Sequence, residues 1–238
     1  MRKGARFMLI YAFRSLFAGQ GLDIASLIMQ LLAVFVIIFL VLPLHEFAHG
    51  LIAYKLGDRT AKNQGRLTLN PMASLDPMGS LMILLFGIGW ARPVPINPSN
   101  FKKPKRDMAF TALAGPVSNL LAALVGALLL NVVLLTLGSF NASFIQALLI
   151  FFEYFVSINV MLAVFNLLPI PPLDGSRIVS AFLSDRAAYK YYQYQNYITM
   201  ALFFLLLLGV LDTPLYFLRS IVGNGIYWLA RLPFMAFL

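Results

Sequence analysis

The 238 residues are 61% hydrophobic and only 11% charged, where a soluble domain carries about 25% charged and about 45 to 50% apolar residues. With a mean hydropathy of +0.83 the chain belongs in a bilayer, and disorder, collagen-like repeats and coiled coils are excluded. Lys and Arg number 18 against 9 Asp and Glu. These cations fall between apolar segments, which points to anionic lipid headgroups and membrane orientation and away from nucleic acid. Cysteine is absent, so neither disulfides nor thiolate metal sites can form.

In chain order, Arg2, Lys3 and Arg6 precede an apolar run, Phe7 to Phe13, that Arg14 interrupts. This reads as an interfacial amphipathic helix, or a segment that partly crosses. Ile24 to Leu44 is uncharged for 21 residues, enough at about 1.5 Å per residue to cross about 30 Å of hydrocarbon. A polar stretch follows, in which Arg66-Leu67-Thr68-Leu69-Asn70 alternates and stops at Pro71, the pattern of a short strand. Pro77 to Ala91 is short for a span and contains Gly79, Gly87 and Gly89, so a re-entrant piece is expected. The 45 uncharged residues between Asp107 and Glu153 hold two more spans, Met108 to Leu137 and Ser143 to Leu168, with a turn at Gly138-Ser139-Phe140-Asn141. Tyr191 to Leu211 supplies a fourth. Pro214 to Leu238 keeps Arg219 and Arg231 among apolar residues, as an interfacial helix or a poor fifth span would.

The expected fold is therefore an all-α integral membrane protein with about four transmembrane helices, a re-entrant segment with a short β-strand region, and interfacial terminal helices. Residues 1–23 would form the N-terminal segment, 24–190 a core, and 191–238 a C-terminal transmembrane helix with an amphipathic tail. If Pro77 to Ala91 turns back, the loop with Lys55, Arg59, Lys62 and Arg66 and the loop with Arg92, Lys102, Lys103, Lys105 and Arg106 share one side. Positive-inside bias makes that side cytoplasmic. Arg2, Lys3 and Arg6 then lie outside unless the N-terminal segment crosses.

Chemistry concentrates at His45-Glu46-Phe47-Ala48-His49, an H-E-x-x-H motif at the cytoplasmic end of the first span. Residues four apart are about 40° apart around a helix and about 6 Å along it, so both imidazoles can face one metal with Glu46 beside the water it carries. His45 and His49 are the only histidines, and Glu46 is one of two glutamates. The bland alternative, polar residues capping a span at the headgroup boundary, is weighed against the cost of ionisable groups on a spanning helix. A third protein ligand must be Asp or Glu. Asp174 follows the third span on the side where the histidines sit. Pro169, Pro171 and Pro172 break the helix before it, and Gly175 permits an unusual backbone angle, so the carboxylate can turn inward. Asp23 is at the far end of the first span, and Glu153 is mid-helix with a structural pairing role at least as reasonable. Two His and one Asp leave a fourth position open, as in catalytic zinc sites.

The motif on the first span, Gly115-Pro116-Val117-Ser118-Asn119 on the next and Asn166 to Gly175 after the third together resemble the site-2 protease family of intramembrane zinc metalloproteases. Gly65 to Pro71, Asp76-Pro77-Met78-Gly79 and Gly89 to Pro95 are similar to its compact bacterial members, without the PDZ or CBS domains of other branches. The resemblance implies His45, His49 and Asp174 as ligands of Zn2+ and Glu46 as catalytic base. It also implies Asn119 and Asn166 as residues that hold the substrate backbone or stabilise the intermediate; interhelical hydrogen bonding is the other reading of both. The implied activity is hydrolysis of peptide bonds in or near the transmembrane helix of a membrane-protein substrate, in signalling or in clearance of signal-peptide remnants. The chain would be a multi-pass protein of the cell membrane with its active site near the cytoplasmic face. Partners would be a transmembrane protein or peptide and the lipid bilayer, with no nucleic acid. Leu67 to Asn70 would receive the unwound substrate by strand addition. A metal transporter and a catalytically silent scaffold are the competing classes; the lack of a repeated ligand set argues against the first, and the presence of Glu46 against the second.

Overall fold

The computed structural model describes residues 24–86, 89–137 and 143–235. The expectations for the N-terminal segment, Asp23 and the turn at Gly138 to Asn141 lie outside the described residues.

The first span is one 32-residue helix in which α1, Ile24–Val36, passes through a π-helical turn, Ile37–Val41, into α2, Leu42–Lys55. A four-residue step drifts about 40° around a regular α-helix. The wider i to i+5 turn takes back part of that drift, and Ala33, Ile37, Val41, His45 and His49 all stay buried along one line. The π turn thus aligns the apolar stripe of the span with its two histidines.

Short helices α3, Thr60–Asn63, and α4, Pro71–Ser74, occupy the polar stretch, and the strand expected at Arg66 to Asn70 does not form. Turn chemistry wins there over alternation. Thr68 Oγ1 accepts from Asn70 N at 3.1 Å and Asn70 Oδ1 caps α4 by accepting from Met72 N at 3.0 Å. These local bonds claim the groups a ladder would need. Helix α5, Pro77–Phe86, is ten residues long, about 15 Å, half a hydrocarbon core. The chain then comes back: a Cβ on Gly79 would lie 2.0 Å from Trp90 O, and one on Gly89 2.1 Å from Gly79 O. Glycine at both places lets the returning segment touch the start of α5.

Helices α6, Pro104–Leu137, and α7, Ser143–Asn166, are the second and third long apolar helices. They pack together through Ala123 and Ala127 against Val156 and Val160, small residues allowing the close approach on which membrane helix pairs depend. Leu121, Val125 and Leu129 line an exposed apolar stripe on α6, as a lipid-facing surface should. After α8, Asp174–Ser180, come α9, Asp185–Gln193, α10, Gln195–Leu207, and α11, Asp212–Arg231. The uncharged run from Tyr191 to Leu211 is therefore not one helix. Gly209, at φ +71°, ends α10, with Gly209 N bonded to Leu206 O and Val210 N to Leu205 O, both at 3.1 Å, a Schellman stop. The axis then bends by 87° toward α11. The described residues hold three candidate spans, or four if the bent pair counts as one. Leu202, Leu215, Ile226 and Ala230 of this C-terminal part join the α6–α7 core.

A segment without regular structure, residues 89–97, straps back across α2. Asp58, fully buried, anchors its far end by accepting from Asn97 N and Asn100 Nδ2, both at 2.7 Å, and from Thr60 N at 3.0 Å. Burial pushes the Asp58 carboxyl up, but the hydrogen bonds from Thr60, Asn100 and Asn97 outweigh it and hold the group below its ordinary 3.8. Near pH 4 the unfolded chain therefore binds more protons at this position than the folded one, so Asp58 contributes stability above that range and loses it as pH falls. Thermal unfolding in detergent is expected to show a steeper loss of Tm between about pH 5 and about pH 3 in the wild type than in Asp58→Asn, which starts from a lower Tm at pH 7.

Candidate metal centre

Helix α2 presents His45 and His49 to α6, and α8 brings Asp174 to the same point. His45 Nε2 and His49 Nε2 are 3.0 Å apart, and Asp174 Oδ2 is 3.3 Å from the first and 3.2 Å from the second. Each ring is turned by a partner on its other nitrogen: His45 Nδ1 donates to Asn119 Oδ1 at 2.5 Å and His49 Nδ1 to Thr111 O at 2.7 Å. With protons placed on Nδ1, both Nε2 atoms keep a lone pair directed into the site. Asp174 Oδ2 is buried without a hydrogen bond. Three lone-pair donors thus face one another with nothing between them to donate. Ligands about 2.0 to 2.1 Å from a tetrahedral zinc stand about 3.3 Å apart, so the set fits such an ion. His45, His49 and Asp174 are the group with metal-holding geometry among the described residues.

The rest of the site makes room for this arrangement. A Cβ on Gly115 would lie 2.3 Å from His49 Nε2 and 2.5 Å from His45 Nε2; only glycine lets α6 pass here. Gly175 has no positive φ, so the expected unusual backbone angle is absent. What it needs is space, since its Cβ would stand 2.3 Å from Leu167 O. The Pro169–Pro172 turn that carries Asp174 is held from outside: Tyr191 Oη donates to Pro169 O at 2.8 Å and Thr199 Oγ1 to Pro171 O at 3.1 Å.

Glu46 lines the same cavity of about 170 Å³ as the three ligand candidates. Its Oε2 accepts from Val94 N at 2.7 Å. Pro93 and Pro95 have no N–H, so Val94 is the one donor in that tripeptide and it is spent on the carboxylate. Arg66 Nη2 donates to Arg92 O at 3.0 Å and Pro93 O at 3.2 Å, fixing the strap over α2. Asn119, fully buried, uses its oxygen on His45 while its Nδ2 has no partner. Asn166 lines the cavity and donates from Nδ2 to Leu162 O at 3.0 Å. Glu153 is exposed and does not line the cavity. Thr111, Val94, Tyr191 and Thr199 carried no reading in the sequence. The first two act through backbone atoms, and the only hint was the proline on either side of Val94.

Gly115→Ala is expected to abolish zinc binding by the purified protein while helicity by circular dichroism is kept; Gly223→Ala, where a Cβ meets nothing within 4 Å, retains the metal. Tyr191→Phe combined with Thr199→Val is expected to weaken zinc about tenfold or more in chelator competition, the usual scale for support around ligands.

Comparison with known proteins agrees with this chemistry. The sequence model of Peptidase family M50 matches residues 131–209. The chain is 43% identical over 185 residues to "Putative zinc metalloprotease YwhC" of Bacillus subtilis, covering 78% of this chain and 79% of that protein. To "Putative zinc metalloprotease Rip2" of Mycobacterium tuberculosis H37Rv it is 33% identical over 196 residues, covering 79% and 69%. To the protein of the same name in Mycolicibacterium smegmatis it is 34% identical over 142 residues, covering 56% and 51%. No solved structure matches the chain. Identity of that extent to zinc metalloproteases, on a chain whose own side chains converge as a zinc site, means that the protein belongs to Peptidase family M50, the site-2 protease family, and is a zinc metalloprotease.

Proposed function

We propose that the protein is an intramembrane endopeptidase, with His45, His49 and Asp174 holding zinc and Glu46 moving the proton. The observation that carries this reading is the convergence of the two Nε2 atoms and Asp174 Oδ2 beside Glu46 in one cavity. Depth supports the membrane setting. His45 and His49 precede Lys55 by ten and six residues and Gly115 follows Arg106 by nine, so at about 1.5 Å per residue the centre lies roughly 9 to 15 Å along the helices from those charges, a depth that fits inside a hydrocarbon layer about 30 Å thick. Lys55, Arg59, Lys62 and Arg66 on one loop and Lys102, Lys103, Lys105 and Arg106 on the next support a cytoplasmic orientation for that end.

His45, His49 and Asp174 would hold the zinc, which would supply a more acidic water near neutral pH and a Lewis acid for the scissile carbonyl. Glu46 accepts the proton as water attacks and returns it to the leaving amine. The Val94 N–H fixes Oε2 and steers the carboxylate, while Oε1 carries no hydrogen bond among the described residues and is free for this exchange. Asn119 and Asn166 are proposed to contact substrate, the first through its unpartnered Nδ2. The substrate would be a single transmembrane segment, either a tethered regulator or a spent signal peptide. A peptide bond inside a transmembrane helix is hydrogen-bonded and shielded by side chains, so the segment would unwind locally to reach the centre, and cleavage should favour Gly, Pro or Asn nearby.

With a panel of single-span proteins in proteoliposomes, wild type is expected to release fragments cut within the span. Glu46→Gln should release none while keeping one zinc per chain. Zinc flux without cleavage would instead identify a transporter, and cleavage surviving in Glu46→Gln would remove that residue from proton transfer.

A further inference from the structure

Arg177 lies one helical turn beyond Asp174 on α8, and residues three apart on a helix share a face. It is half-buried and lines the cavity together with His45, Glu46 and His49. Among the described residues its guanidinium finds a single acceptor, Met108 Sδ at 3.7 Å from Nη1, and a thioether is a weak one. Asp107, beside Met108 in the chain, is committed to Arg106 and the Lys103 N–H, Glu46 in the cavity uses Oε2 on Val94 N, and no carboxylate among the described residues forms an ion pair with Arg177. A guanidinium has five N–H donors in a planar fork. Most of them here meet no protein acceptor, and the unpartnered nitrogens remain accessible. A cation kept this way at the wall of a reaction cavity has the form of a donor waiting for an oxygen that arrives with the substrate.

The geometry points to Arg177 as a catalytic residue that donates to the oxygen of the scissile carbonyl as negative charge builds on it. This rests on the proteolytic reading of the same centre. Arg177 transfers no proton, because a guanidinium keeps its protons in a protein; its contribution is a preorganised donor whose interaction strengthens as the carbonyl oxygen becomes anionic. The side chain shares a face of α8 with Asp174 and has no acidic partner to displace, so the response needs no rearrangement of the ligands.

The test uses the full zinc-loaded chain in detergent and a pair of apolar pseudopeptides, one with a phosphinic group in place of the scissile amide and one with the amide. The phosphinic group carries the tetrahedral anionic oxygens of the transition state. Arg177→Gln is expected to lower affinity for the phosphinic peptide by about 10² to 10³, the scale of removing one oxyanion donor. Affinity for the amide peptide and the zinc content should be unchanged. Arg177→Lys, which keeps the charge and loses the fork, should recover part of the loss. Equal phosphinic affinity in wild type and Arg177→Gln, zinc lost together with affinity, or no preference of the wild type for the phosphinic peptide would each overturn the assignment. If the wild type shows the preference yet cleaves no membrane-spanning reporter, the intramembrane reading falls and the role of Arg177 stands.

Discussion

Two imidazole nitrogens and a carboxylate oxygen, each with a lone pair turned toward the other two, are held 3.0 to 3.3 Å apart. Without a cation such an arrangement is repulsive, and burial away from water makes the repulsion worse. The surrounding fold has to impose it. Asn119 and Thr111, both on α6, fix the two rings by their outer nitrogens. Tyr191 and Thr199, from α9 and α10, hold the turn that delivers Asp174. Gly115 leaves the space into which the three donors point. Supports from three separate helices act on one small volume, so preorganisation of the centre is a property of the whole bundle.

Proline has a consistent use in this scheme. Each one removes a backbone donor, and the chain exploits what is left. At Pro169 to Pro172 the helix stops and carbonyls are left over, which hydroxyls from Tyr191 and Thr199 satisfy. At Pro93 to Pro95 a single N–H survives and is directed to Glu46. Inside α6, Pro116 directly follows the glycine that the imidazoles require. In a bilayer, unsatisfied backbone groups cost several kcal/mol each, so irregular backbone is confined to places where side chains or the cavity supply partners.

Much of this was legible in the residues, and the parts that were not share a cause. Apolar run length gave the second and third long helices within a few residues and the start of the first, which continues eleven residues past Leu44 to Lys55, and the spacing of His45 and His49 with the proline break before Asp174 named the side chains that converge. The misreadings arose where two local signals competed. At Arg66 to Asn70 alternation suggested a strand, but Asn70 followed by Pro71 is a helix start, and the cap took precedence. Between Tyr191 and Leu211 the uncharged length suggested one span, but Gly209 stops α10 early. Gly175 looked like a backbone device and serves instead as clearance. Thr111 and Val94 were invisible because a carbonyl or an N–H is the same in every residue, and only the fold decides which one reaches an imidazole or a carboxylate.

The depth of the centre and the size of its cavity combine into a constraint on any occupant. Roughly 9 to 15 Å of helix separates the two histidines from Lys55, and the space beside them is about 170 Å³. Under the proposed reading, a segment entering from lipid would give up its helical hydrogen bonds, and each backbone group so released would need a new partner, because lipid offers none. The strap at residues 89–97 lines this cavity through Trp90, Ala91, Val94 and Ile96, and its one donor between Pro93 and Pro95 is already committed to Glu46. Under the same reading, the unpartnered amide of Asn119 and the donors of Arg177 would be places where the oxygens of an unwound chain could be received. On that reading, a sequence that unwinds easily would lower this cost before binding begins, and selectivity would follow the helical stability of the substrate more than the shape of its side chains.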